Sequence, residues 1–169
     1  MEIVYKSILP SKDEFFDLFE TTGWNSYVQA SADELARAIA VSDFIVTAYC
    51  GERLVGFGRV LTDGILHAMV YDMIVHPDYQ RRGIGTQILQ QLVKWCNVAQ
   101  IRSIQLFCAH GKRSFYEKNG FVARHDDAPG MQYLRQAGSH PTMIWLNKIQ
   151  TLSTERNDSR VKNFLSGGK

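Results

Sequence analysis

Apolar positions along the chain fall into two periods, one suited to strands and one to helices. Ile3 to Leu9 reads as a first strand, ended by Pro10. Ser11, with Glu14 three residues on, forms a capping-box pattern and opens a helix through Phe15, Phe16, Leu18 and Phe19 to about Gly23. Trp24 to Tyr27 is a loop, and Ser31 with Glu34 caps a second helix carrying Leu35, Ala38 and Ile39. Phe44 to Cys50 and Arg53 to Leu61 are strands joined by Gly51-Glu52, a two-residue turn with glycine first, as type II′ prefers. Asp63-Gly64 marks the next turn, and Ile65 to Val75 the next strand, stopped by Pro77. Ile84, Ile88, Leu92 and Cys96 recur every four positions, with Leu89 and Val93 beside them, and define one face of a longer helix. Ser103 to Ala109 is a strand, Ser114 to Lys118 a short helix ended by Asn119-Gly120, and Phe121 to Ala123 the start of another strand. Asp126 to Gly138 is a loop around Pro129-Gly130, and Thr142 to Ile149 a final strand.

This order implies one α/β domain over residues 1–150. Residues 151–169 are polar, lack an apolar face and are expected to form a flexible or loosely docked tail. A hydrophobic content of 45% and a charged content of 21% are globular values. A net charge of +2, with basic residues dispersed, argues against nucleic acid as a partner. No apolar run is long enough to span a bilayer and none resembles a signal peptide, so a cytoplasmic protein is expected. Cys50, Cys96 and Cys108 have apolar neighbours and are expected to be reduced, buried thiols. The five histidines lack metal-ligand spacing, so no metal is expected.

The chemistry starts at Gln80-Arg81-Arg82-Gly83-Ile84-Gly85, where the apolar strand Met69 to Val75 gives way to the Ile84 helix. A helix start offers free N–H groups and partial positive charge, glycines allow close approach to them, and two arginines add full charges. A phosphate or pyrophosphate suits such a site. A P-loop would need Gly-Lys-Ser/Thr where Ile84-Gly85-Thr86 stands. A dinucleotide fingerprint would need a glycine at Ile88 and an acidic residue at the end of the next strand, and neither is there.

The remaining pattern, Gln/Arg-x-x-Gly-x-Gly/Ala after an apolar strand, resembles the GCN5-related N-acetyltransferases. The resemblance is carried by Ile74 to Gly85 and, about thirty residues later, by Phe115-Tyr116-Glu117-Lys118-Asn119-Gly120-Phe121. It implies a mixed sheet of about six to seven strands flanked by about four helices and splayed near an acetyl-CoA site. It implies that Gln80, Arg81, Arg82, Gly83, Ile84, Gly85 and Thr86 hold the pyrophosphate of acetyl-CoA. It further implies that the backbones of Met73, Ile74 and Val75 meet the pantetheine arm, as a strand edge would meet another strand. Dimers are common in that family, so a homodimer is an expectation.

Acetyl transfer to an amine requires a neutral nitrogen, donors for the carbonyl oxygen and stabilisation of the departing thiolate. Tyr116 matches the family's tyrosine near the sulfur and is the expected proton donor; the alternative is packing beside Phe115. Asp72, a carboxylate in an apolar strand, is the expected base, and alternation puts it opposite Tyr71 and Met73. Its alternative is a structural pair with Arg59. The family's asparagine seven residues before the tyrosine is Ala109 here. Short stretches around Phe57, Arg59 and Leu106 also resemble a subgroup with small amine substrates, in which an Asp and a Tyr at the spacing of Asp72 and Tyr79 have roles. The acceptor end is expected to involve Trp24, Tyr27, Phe57, Arg59 and Tyr79, with core packing the alternative for Trp24. The expected function is acetyl transfer to the primary amine of a small molecule; the alternatives are a protein N-terminal or lysine acetyltransferase, or a silent acyl-CoA-binding module.

Overall fold

The computed structural model describes residues 2–133. The strands are β1 (Ile3–Lys6), β2 (Phe44–Cys50), β3 (Arg53–Thr62), β4 (His67–Val75) and β5 (Ser103–Leu106). The helices are α1 (Lys12–Glu20), α2 (Asn25–Val28), α3 (Ala32–Ala40), α4 (Ile84–Val98) and α5 (Arg113–Lys118). The strands form one sheet in the order β1-β2-β3-β4-β5. The first four are antiparallel neighbours, and β5 lies parallel to β4 after the α4 crossover. Among the described residues two compact units are distinguished: those up to Asn25 with Ala30–Met131, which hold the sheet, and Ser26–Gln29 with Gln132 and Tyr133.

Local signals act as their chemistry requires. Ser11 and Ser31 each accept the N3 N–H, while Glu14 and Glu34 reach back to the N-cap N–H, so both capping boxes form. Gly51 has φ +63° and Glu52 is not left-handed, the backbone pattern of a type II′ hairpin. Gly120, at φ +87°, closes α5: its N–H donates to Glu117 O, and Phe121 N–H donates to Tyr116 O. Several expected boundaries move. Trp24 to Tyr27 is not all loop, since Asn25–Val28 forms a helical turn. Strand β5 stops at Leu106, and Phe121 to Ala123 pairs with no strand among the described residues. Five strands are therefore described; the expected strand Thr142 to Ile149 and the tail 151–169 lie outside the described residues.

Each face of the sheet carries its own core. On one face α4 sets Ile84, Ile88, Leu89, Leu92 and Cys96 against Val46, Val55, Val60 and Val70. On the other, α1 and α3 set Phe15, Leu18, Phe19, Leu35 and Ile39 against Ile45, Tyr49, Phe57 and Ile74. Two glycines in β3 let α4 come this close. A Cβ on Gly56 would lie 2.8 Å from Ile88 Cδ1, and one on Gly58 would lie 2.7 Å from Ile88 Cγ2 and 2.8 Å from Met73 Sδ. All three distances are too short for real contacts, so a methyl at either position must displace the packed side chains of Ile88 and, at Gly58, of Met73. Gly58→Ala is expected to destabilise the domain by about 1–3 kcal/mol, read as a lower midpoint in urea unfolding.

Candidate active site

The site is set by an irregularity in β4. Phe57 pairs with Ile74 but Arg59 pairs with Tyr71, so Asp72 and Met73 together oppose the single residue Gly58. Asp72 is left-handed, at φ +49°, which makes this a β-bulge. Aspartate tolerates that conformation better than most side chains. The bulge reverses the alternation downstream: Val70 and Ala68 face α4, as do Met73 and Val75, whereas Ile74 packs with α1 and α3. Asp72 therefore does not point opposite Tyr71, as simple alternation requires. Its Oδ2 accepts a 2.6 Å bond from Arg59 Nε, and the same guanidinium lies 5.7 Å from the Tyr71 ring centroid.

The bulge also turns backbone groups. His76 N–H donates to Val55 O, so in this antiparallel pair Ile74 turns its N–H and C=O to β3. Met73 and Val75, one residue out of phase, turn theirs toward β5. Strand β5 pairs with His67–Val70, so past Leu106 no strand among the described residues lies beside that edge of β4. This is the expected splay. Of the three residues expected to offer backbone groups there, Met73 and Val75 do and Ile74 does not. The Val75 carbonyl already accepts a 3.0 Å bond from Gln80 Nε2. Gln80 thus ties the turn to the end of β4.

The edge leads into the start of α4. Gly83 is the N-cap, left-handed at φ +80°, and has no side chain to cap the helix. The first closing bond runs from Gln87 N–H to Gly83 O, so the N–H groups of Ile84, Gly85 and Thr86 precede the intrahelical ladder. Arg81 and Arg82 are exposed beside them, and Arg82 lies over the Tyr79 ring at 5.3 Å. The two glycines differ in purpose. A Cβ on Gly83 would meet nothing within 4 Å, so the requirement there is the left-handed backbone and an open approach. A Cβ on Gly85 would sit at ordinary contact, 3.5 Å from Phe115 and from Val75.

Tyr116 projects from α5 on the α4 side. It packs edge-on between Phe115 and Phe121, and lines a groove of about 410 Å³ with Met69, Leu106, Cys108 and Phe121. Burial, with a smaller contribution from nearby Cys108, pushes its phenol up to about 12. Cys108 is exposed, not a buried strand thiol, because β5 ends two residues before it. Sequence reasoning passed over Cys108 and Met69 as groove residues; only the early end of β5 reveals them.

Several expected acceptor residues take other places. Phe57 is fully buried, its ring 4.6 Å from Phe15, because β3 is a central strand under α1; it forms core, not pocket. Trp24 packs edge-on against Phe19. Tyr79 sits between His76 and Arg82 beside the glycine turn. Arg59 faces α3, where its Nη1 donates to Ala38 O at 2.7 Å. Tyr27 belongs to the second unit. Among the described residues no group of His, Cys, Asp and Glu could hold a metal.

Residues 41–123 match the acetyltransferase (GNAT) domain. An uncharacterized N-acetyltransferase of Porphyra purpurea, ycf52, is 33% identical over 122 residues, covering 70% of this chain and 68% of that protein. The chain belongs to the GNAT acetyltransferase family. A GNAT-family acetyltransferase from Streptococcus pneumoniae has the same fold, with a TM-score of 0.68 and 27% identity over 80% of this chain and 99% of that one. The N-acetyltransferase paia of Thermoplasma acidophilum, solved in complex with coenzyme A, shares the fold at a TM-score of 0.61 and 18% identity, covering 73% of this chain and 92% of that one. This acetyltransferase is thus an acyl-transferring enzyme whose glycine turn opens a helix with uncommitted N–H groups.

The two glycines predict different outcomes. Gly83→Val places a branched side chain at φ +80°, a strain of about 1–3 kcal/mol, and covers the approach to the N–H groups. Acetyl-CoA affinity measured by calorimetry is expected to fall at least about tenfold. Gly85→Ala adds a methyl at ordinary contact distance and is expected to stay within about threefold of the parent.

Proposed function

We propose that this acetyltransferase takes its acetyl group from acetyl-CoA and passes it directly to the primary amine of a small molecule. The observation that carries the reading is the continuous path from the edge of β4 at Met73 and Val75, unpaired among the described residues, to the uncapped start of α4 at Gly83. An amide-rich arm pairs with a strand edge, and a pyrophosphate suits a helix start flanked by Arg81 and Arg82. When bound, acetyl-CoA supplies an activated thioester carbonyl.

The chain's own groups then divide the work. N–H groups of Ile84, Gly85 and Thr86, with the helix dipole, neutralise the pyrophosphate. A backbone N–H of the β4 edge donates to the carbonyl oxygen as it gains charge. Tyr116 Oη–H donates a hydrogen bond to the departing sulfur. A phenol near 12 and a thiol of ordinary pKa, about 8.5, differ by roughly 3.5 units, so complete proton transfer from Tyr116 is uphill by about 5 kcal/mol. Its contribution is therefore hydrogen bonding to the developing thiolate.

Asp72 serves the acceptor. An alkylammonium is a far weaker acid than a carboxylic acid, so moving its proton onto a carboxylate is strongly uphill. The amine accordingly loses its first proton to water. The second, which becomes acidic as nitrogen bonds to carbon, passes to the Asp72 carboxylate directly or through water. Tyr116 and Asp72 lie on opposite sides of β4, so donor and acceptor meet at the splay from different faces.

Mass detection of acetylated products from a panel of small amines and peptides tests the reading. Turnover of small amines supports it; turnover of peptides alone, or tight acetyl-CoA binding with no turnover, refutes it. Tyr116→Phe is expected to lower kcat by about 10- to 100-fold, with acetyl-CoA affinity within about twofold of the parent. Because its raised pKa keeps Tyr116 neutral until about pH 12, kcat/KM is expected to rise with pH as the amine deprotonates, with no fall near pH 10. A loss of activity near pH 10 overturns a tightly held proton on Tyr116.

A further inference from the structure

The bulge carries a cost that something must offset. A left-handed aspartate inside a strand costs on the order of 1 kcal/mol or more, and the ladder loses regularity where it sits. Without the bulge, alternation would turn Met73 and Val75 toward β3 and leave Ile74 facing β5. The edge offered to a ligand would change by one residue, and the side chains would change faces.

Arg59 stands at the only junction between this bulge and α3 that hydrogen bonds define among the described residues. Its Nε donates to Asp72 Oδ2 at 2.6 Å and its Nη1 to Ala38 O at 2.7 Å. The guanidinium also covers the Tyr71 ring. Ala38 lies in the last turn of α3, where carbonyls have lost their intrahelical partners and the helix end carries partial negative charge. The Arg59 and Asp72 side chains are only 13% and 22% exposed, so solvent screens this pairing weakly. The planar guanidinium presents both donors in one rigid fork, a geometry that a lysine ammonium on its flexible stem does not reproduce.

We propose that Arg59 is a positioning residue for acetyl transfer: by clamping Asp72 to the C-terminal turn of α3, it holds the β4 bulge in the form that presents Met73 and Val75 to the pantetheine arm of the acyl donor. This rests on the acetyl-CoA reading above. The clamp acts on the arm, whereas the glycine turn acts on the pyrophosphate, so two probes separate them. One is acetyl-CoA; the other is 3′-phosphoadenosine 5′-diphosphate, which keeps the pyrophosphate and lacks the arm.

Calorimetric titration of both probes into the parent protein and Arg59→Met, at a temperature where circular dichroism shows the variant folded, tests the clamp. Losing two strand-edge hydrogen bonds is expected to weaken acetyl-CoA about tenfold, with the arm-less probe within about twofold of the parent. Equal affinities for acetyl-CoA in the folded variant and the parent, or equal losses for both probes, overturn the proposal. Arg59→Lys keeps the charge but loses the rigid two-donor fork, and is expected to give an intermediate loss of about threefold. Parent-like acetyl-CoA affinity in Arg59→Lys overturns the two-point clamp even where Arg59→Met does not fold. A parent protein that binds neither probe overturns the acetyl-CoA reading itself.

Discussion

The bulge at Asp72 sets the phase of everything that follows it in β4. Upstream, Ala68 and Val70 face α4; downstream, Met73 and Val75 do so, and Ile74 enters the opposite core. One extra residue opposite Gly58 produces this reversal. The same step changes which peptide groups point along the sheet. A strand that would be regular to its end instead presents alternate residues, Met73 and Val75, at the edge where β5 has stopped. Gly58 is the partner condition: with Ile88, Leu92 and Met73 crowding its position, no larger residue fits beneath the bulge without displacing those side chains.

Downstream of β4 the chain converts this geometry into a site with little further machinery. Gln80 fixes the turn by bonding the Val75 carbonyl, Gly83 supplies a backbone conformation unfavourable for other residues, and α4 supplies the N–H groups. Phe115 lies against Gly85 and Val75, so α5 sits beside the same helix start. That places Tyr116 in a largely dry setting where its proton is held tightly. Such a phenol is a good donor to growing negative charge and a poor source of a free proton.

Local and long-range features of this chain differ in how far the sequence reveals them. Features that depend on neighbours within a few positions were legible: both capping boxes, the Gly51-Glu52 hairpin, the Gly83 turn and the Gly120 stop form where their residues indicate. Features that depend on distant partners were not. Phe57 looks like a pocket aromatic until β3 is seen to be central and covered by Phe15. Cys108 looks buried until β5 ends at Leu106. Asp72 looks like a residue on the face away from Tyr71 because alternation assumes a regular strand. The break in that rule is cued only by a lone carboxylate in one strand and a glycine in another.

Short-range chemistry and motif spacing were enough for the order of the five described strands and of α1, α3, α4 and α5, for the helix caps, for the glycine turn and for the family to which the chain belongs. Tertiary structure alone decided which side Asp72 takes, which of Met73, Ile74 and Val75 turn toward the splay, and that Arg59 joins β4 to α3. Those choices depend on packing between residues far apart in the chain, and a single inserted residue in a strand reverses every one that follows.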